Sequence, residues 1–170
     1  IAASRHKGNV WVVPENHDFA YEFGQENMHI QLRRTVRLND RPSRTVFTRI
    51  YENDQDILWI GTNRGLYAHD LKSGKSRTVC DTLGQVSAIE EDKNGTLWIG
   101  TISKGIYHLT NDGKLKHHAT LQSVSCLTTA DNGDIWIGTQ EGGVYRLNPK
   151  TGEQTEHTAF CGLKGDIINQ

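Results

Sequence analysis

Eight histidines are the first groups in this chain equipped for chemistry: His6, His17, His29, His69, His108, His117, His118 and His157. None falls at a metal-ligating spacing, and His117 and His118, adjacent on a strand, point to opposite faces. The sequence reads them as solvated outer-strand side chains and predicts no metal site and no cofactor. The carboxylates gather as Glu90-Glu91-Asp92, with Asp131 and Asp134 one unit further on. Glycoside hydrolysis needs two facing carboxyl groups about 5–10 Å apart. Strand alternation sets Glu90 and Asp92 on the face opposite Glu91, and all three border a hairpin turn, so they read as turn and rim residues. No Gly-x-Ser-x-Gly, phosphate-loop or His-Glu-x-x-His string occurs. No catalytic residue is assigned.

The three cysteines, Cys80, Cys126 and Cys161, match no metal spacing either. Cys126 reads as a buried thiol on an inner strand; a Cys80–Cys161 disulfide is the minor alternative. The clearest charge bias is the run Arg33-Arg34, Arg37, Arg41, Arg44. It would suit an acidic ligand such as a uronate or a sulfated glycan, but a solvated edge strand with charges that block further strand pairing fits it better. A net charge of −1 and a pI near 6.8 give no basic footprint, so nucleic acid is not an expected partner.

The elements that must position these groups follow from a repeat. Leu58-Trp59-Ile60-Gly61-Thr62, Leu97-Trp98-Ile99-Gly100-Thr101 and Ile135-Trp136-Ile137-Gly138-Thr139 are near-copies, their tryptophans 39 and 38 residues apart. Each leads to Gly-aliphatic-Tyr: Gly65-Leu66-Tyr67, Gly105-Ile106-Tyr107, Gly143-Val144-Tyr145. A period near 40 admits helical repeats or four-stranded propeller blades. The runs are short, β-branched and aromatic, and turn signals such as Asn94-Gly95 and Asn132-Gly133 separate them, which selects strands. Only 3 Pro but 17 Gly agree with many strands joined by tight turns.

Each unit reads as four strands; in the third they are 86–90, 96–100, 106–109 and 114–119. Such a sheet cannot bury both faces alone, and stacking units does so, which predicts an all-β propeller of about four blades, approximately 1–45, 46–85, 86–123 and 124–167. The first blade is degenerate: Val10-Trp11-Val12-Val13-Pro14 lacks the Gly-Thr pair. Trp59, Trp98 and Trp136 are expected between blades, Gly61, Gly100 and Gly138 at a bulge or close approach, and Tyr67, Tyr107 and Tyr145 with buried rings and partnered hydroxyls. Ile1 aligns with the end of a first strand and 167–170 with the start of another, so the expectation is an arc of a larger ring of about seven blades. What distinguishes the units lies between second and third strands: Asn63-Arg64, Ile102-Ser103-Lys104 and Gln140-Glu141. Asn63, Arg64, Ser103, Lys104, Gln140 and Glu141 are therefore the candidate ligand-binding residues.

The string Asn/Asp-Gly-x-Leu/Ile-Trp-Ile-Gly-Thr followed by Gly-Leu/Ile/Val-Tyr resembles the two-component regulator propeller repeat over roughly residues 46–160. Asp131-Asn132-Gly133-Asp134-Ile135-Trp136 also resembles the Asp-box of sialidase-type propellers, but the Gly-Thr after each tryptophan fits the regulator repeat better. That resemblance implies the periplasmic or extracellular sensor of a hybrid histidine kinase in the inner membrane. It further implies an oligosaccharide-derived ligand, remaining blades and signalling domains in the same polypeptide, a homodimer, and no catalysis by this segment. The rivals are a propeller lyase or glycosidase and a protein-interaction scaffold.

Overall fold

Alternation of apolar and polar residues between turn-forming clusters gives strands throughout, and no helix occurs among the described residues. The computed structural model describes residues 1–6 and 8–157. Four antiparallel sheets follow one another along the chain. The first comprises β1 (Ala2–Ala3), β2 (Val10–Val12), β3 (Phe19–Glu26) and β4 (His29–Arg37); the second β5 (Phe47–Glu52), β6 (Ile57–Thr62), β7 (Leu66–Asp70) and β8 (Ser76–Cys80). The third comprises β9 (Val86–Glu91), β10 (Leu97–Thr101), β11 (Ile106–Leu109) and β12 (Leu115–Ala119); the fourth β13 (Val124–Thr129), β14 (Ile135–Thr139), β15 (Val144–Leu147) and β16 (Gln154–Glu156). Each is a meander with strands in chain order, the arrangement of a propeller blade. The degenerate first unit forms a complete sheet, and its β3–β4 hairpin has the longest strands of the chain.

The chain divides into two compact units, Ile1–Thr82 and Leu83–Gln170, each of two sheets. In the first, Trp11 and Ala20 pack with Phe47, Ile50 and Leu58 of the neighbouring sheet. In the second, Trp98 and Ile106 pack with Leu127, Ile135 and Ile137. Trp11 and Trp98 thus lie between sheets, 0% and 2% exposed. Trp136 departs from expectation. It is half-buried, with the His157 ring 5.0 Å away, and no further sheet among the described residues covers it.

The motif glycines sit beside a repeated irregularity. Opposite Gly61, Gly100 and Gly138 the first strand of each sheet carries one extra residue, Thr48, Ser87 and Ser125, so three sheets share one bulge. At Gly100 there is also no room: a Cβ would lie 2.6 Å from Val124 Cγ1 of the next sheet. The β5–β6 turn solves its geometry differently from its counterparts. Asp56 stands where the other units place Gly95 and Gly133, and it adopts φ 60°. Asp tolerates this left-handed conformation better than most residues.

Trp98→Ala should lower unfolding free energy by about 3–5 kcal/mol, as expected for truncating a fully buried aromatic, and Trp136→Ala clearly less. Urea denaturation of the two variants checks the difference.

Candidate functional site

The threonine of each Trp-Ile-Gly-Thr phrase builds the loop that follows it. Thr62 Oγ1 donates to the Gly65 carbonyl at 3.0 Å and accepts the Arg64 and Gly65 amides at 3.1 and 3.0 Å. Thr101 Oγ1 donates to Gly105 O at 2.9 Å and accepts the Lys104 amide at 2.9 Å; Thr139 Oγ1 donates to Gly143 O at 3.3 Å and accepts its amide at 3.0 Å. The glycine closing the loop is forced by proximity: at Gly105 a Cβ would stand 1.9 Å from the Ala119 carbonyl oxygen. The loop backbones are thereby held in place, while Arg64, Ser103, Lys104, Gln140 and Glu141 stay exposed.

A backbone ladder joins these loops in the second unit. Ile102 N donates to Gln85 O (3.0 Å), Ser123 N to Ile102 O (2.7 Å) and Gln140 N to Ser123 O (2.8 Å). Two loops and the lead-in to β13 therefore form one rim, on which Ser103, Lys104, Gln140 and Glu141 are all exposed. Ser123 Oγ donates to Glu141 Oε1 at 3.3 Å. In the first unit Asn63 N likewise donates to Val46 O, but the Asn63 amide is spent inside the fold: Oδ1 accepts the Val46 amide and Nδ2 donates to Arg44 O, both at 3.0 Å. Arg64 beside it is exposed. Under the loops lie the motif tyrosines. Burial, then Asp81, pushes the Tyr67 hydroxyl up, and burial, then Glu156 and Glu141, does the same to Tyr145. Against expectation, Tyr67 Oη is buried with no hydrogen-bond partner.

At the opposite end of the same two sheets, where the β9–β10, β13–β14 and β15–β16 turns converge, a cleft of about 430 Å³ opens. Its lining includes Asp92, Lys93, Trp98, His108, His118 and Asp131. His108 Nδ1 and His118 Nε2 are 2.6 Å apart, and both rings pack on Trp98 at 5.3 and 4.9 Å. Reading these histidines as solvated is corrected: both are half-buried, and His69 is 7% exposed with Nδ1 2.8 Å from Ser76 Oγ. The sequence hides the pair because it depends on which strands are neighbours. His117 meets Tyr107, while an irregularity between Ile106 and Tyr107 leaves His118 beside His108. Burial is the main cause holding both imidazoles below their ordinary value, with Lys116 adding to it for each and the neighbouring His108 for His118.

Several acidic and basic groups around the cleft are committed within the fold. Asp92 Oδ1 accepts the Asn94 and Thr96 amides at 2.9 Å each, and Oδ2 accepts Trp98 Nε1–H at 3.1 Å. Lys93 Nζ bridges to Asp131 at 2.8 Å, and Arg146 lies 3.5 Å from Asp134. Glu90 is half-buried; burial raises its carboxyl while the Thr129 backbone N–H partly offsets this. The arginine run is largely neutralised on its own sheet. Arg33 pairs with Glu26 (2.8 Å), Arg34 with buried Glu22 (3.5 Å) and Arg41 with Asp18, while Arg37 lies over the Phe19 ring. Cys126 is half-buried rather than buried. The Cys80–Cys161 alternative falls on Cys161, which lies outside the described residues, as do residues 167–170.

Comparison with known proteins agrees with this geometry. Residues 82–103, spanning β9 and β10, match the family model described as "Two component regulator propeller". The match falls on the first two strands of the third sheet, and the Trp-Ile-Gly-Thr phrase within it recurs in the second and fourth. No curated protein matches the chain significantly. Among solved structures, virginiamycin B lyase from Staphylococcus aureus superposes with a TM-score of 0.72 at 18% identity, covering 97% of this chain and 57% of that one. The extracellular domain of a protein of B. thetaiotaomicron described as a hybrid two component system gives 0.66 at 21% identity, covering 94% and 25%. A second such domain from that organism gives 0.67 at 19%, covering 91% and 22%. The chain spans from about a quarter to about half the length of the structures it matches first, 52% and 25%. At these identities the likeness is one of fold, an all-β propeller.

Because the folded state disfavours imidazolium at His108 and His118, the unfolded chain binds more protons just below the ordinary histidine value of 6.5. Their contribution to stability is full above that value and is lost as pH falls toward the lowered folded values. Urea midpoints should drop between neutral and mildly acidic pH, and His118→Gln should flatten that drop; an unchanged slope would contradict the assignment.

Proposed function

We propose that this chain is part of the ligand-sensing propeller of a hybrid two-component regulator, exposed on the extracellular or periplasmic side of the membrane. It takes a glycan-derived ligand on the rim of loops between second and third strands and relays occupancy to a histidine kinase. The remaining blades and the signalling domains would lie in the same polypeptide, and the intact receptor would act as a homodimer. The observation that carries this reading is the rim itself: Ser103, Lys104, Gln140 and Glu141 project from loops whose backbones the threonine clamp and the Gln85–Ile102–Ser123–Gln140 ladder hold. Preorganised donors and acceptors of this kind suit sugar hydroxyls and carboxylates, because little entropy is lost on binding. Arg64 extends the same pattern to the second sheet. The matched regulator repeat and the fold shared with extracellular domains of hybrid systems support it.

A second reading, a lyase, is supported by the superposition on virginiamycin B lyase and by the His108–His118 cleft, where neutral imidazoles could act as bases. Turnover of virginiamycin B that His118→Gln abolishes would establish it.

For the sensor reading, calorimetric screening of oligosaccharides should find a ligand whose affinity falls about tenfold or more in Lys104→Ala/Gln140→Ala, the loss expected for one or two hydrogen bonds to charged or polar groups. Unaltered affinity in that double variant would sink the rim as the ligand site.

A further inference from the structure

Glu52 is 3% exposed and ends β5 in the first unit. Its Oε2 accepts Trp11 Nε1–H at 2.7 Å and the Arg5 backbone amide at 3.1 Å. Its Oε1 is buried and has no partner. A buried carboxylate oxygen without a donor is costly, and natural folds almost always supply one. Two further ligating side chains stand beside it. A ring nitrogen of His6, in the β1–β2 turn, a carboxylate oxygen of Glu52 and one of Asp56, in the β5–β6 turn, all lie within 4.8 Å of one another.

The nearby cations do not satisfy Glu52 Oε1. Arg34 pairs with Glu22, and Lys72 Nζ bonds Asp56 Oδ2 at 2.7 Å. The Arg5 guanidinium is spread over Asp54, the Tyr51 hydroxyl and the Glu52 carbonyl. Asp56 is itself the unit-specific residue: it brings a carboxylate to a left-handed position where the equivalent turns use Gly95 and Gly133.

We propose that His6, Glu52 and Asp56 bind a divalent metal ion of the zinc class, clamping the β1–β2 turn of the first sheet to the β5–β6 turn of the second. One imidazole and two carboxylates form a mixed nitrogen–oxygen set of three, which suits Zn²⁺ with water in a fourth position better than the all-oxygen shells of Ca²⁺ or Mg²⁺. Ligands about 2.0–2.1 Å from a tetrahedral ion stand roughly 3.3 Å apart. The three ligating atoms, all within 4.8 Å of one another, would draw in toward that spacing around the ion. No linear spacing announces this set, because His6 lies far from the other two in sequence and reaches them only when the first two sheets stack.

The test uses chelator-stripped protein titrated with ZnCl₂, read by calorimetry and by the Trp11 indole N–H resonance, which reports on its bond to Glu52. The expected result is one ion bound per chain with a shift of the Trp11 signal. His6→Gln and Asp56→Asn, both on turns and compatible with the local backbone, should each weaken binding about 10-fold or more and suppress the shift. His29→Gln, on the exposed β4 strand, should leave both unchanged. Absence of stoichiometric binding, or Zn²⁺ binding that ignores His6→Gln and Asp56→Asn, overturns the proposal, as does a preference for Ca²⁺ that ignores His6→Gln.

Discussion

A four-stranded sheet has two faces, and among the described residues only another sheet can cover them. That constraint governs the rest of the structure. Trp11 and Trp98 answer it by lying flat between neighbouring sheets within their units, where they join the two apolar clusters. Burying an indole also buries its N–H, which must then find an acceptor. Trp11 reaches Glu52 of the next sheet and Trp98 reaches Asp92 of its own turn. The two acids are therefore drawn inward by the packing, and each brings charge to a place the apolar core alone would not put it. The cleft beside Trp98 and the metal-binding set beside Trp11 both arise from this.

The four-blade organisation was legible because the repeat is written in large residues at a fixed period. Trp59, Trp98 and Trp136 with their Gly-Thr sequels located three sheets, and the second and third strands of the third sheet fall within a residue of their expected places. The first sheet was harder, since Trp11 lacks the Gly-Thr pair, yet its core positions are filled by Ala20, Val36 and Leu38. What the sequence concealed is whatever depends on lateral neighbours. His108 and His118 meet only across β11 and β12, and His6 meets Glu52 only across two sheets. Neither contact has a signature in spacing along the chain. The missing glycine of Asn53-Asp54-Gln55-Asp56 is visible in the sequence, but what the Asp56 carboxylate meets is not.

The repeated threonine illustrates a different limit. Its recurrence marked it as framework, but its task was visible only once the loop was closed around it. The hydroxyl both donates and accepts, so it substitutes for a missing turn of backbone bonding and lets short loops of differing composition share one shape. The units differ at Arg64, Lys104 and Gln140 while the threonine that clamps the loop stays the same.

Two backbone bonds that tie neighbouring sheets share a direction. Phe47 N donates to His17 O, and Ser123 N donates to Ile102 O: in each case the amide belongs to the later strand and the carbonyl to a loop already passed. A polypeptide leaving the ribosome amino end first would thus present main-chain carbonyls to the segment that follows, while Trp11 and Lys93 reach forward to acceptors not yet made. Within each pair of blades, growth can proceed like laying bricks in a course, each main chain bedded against its predecessor and side-chain bonds such as Trp11 to Glu52 setting afterwards like mortar.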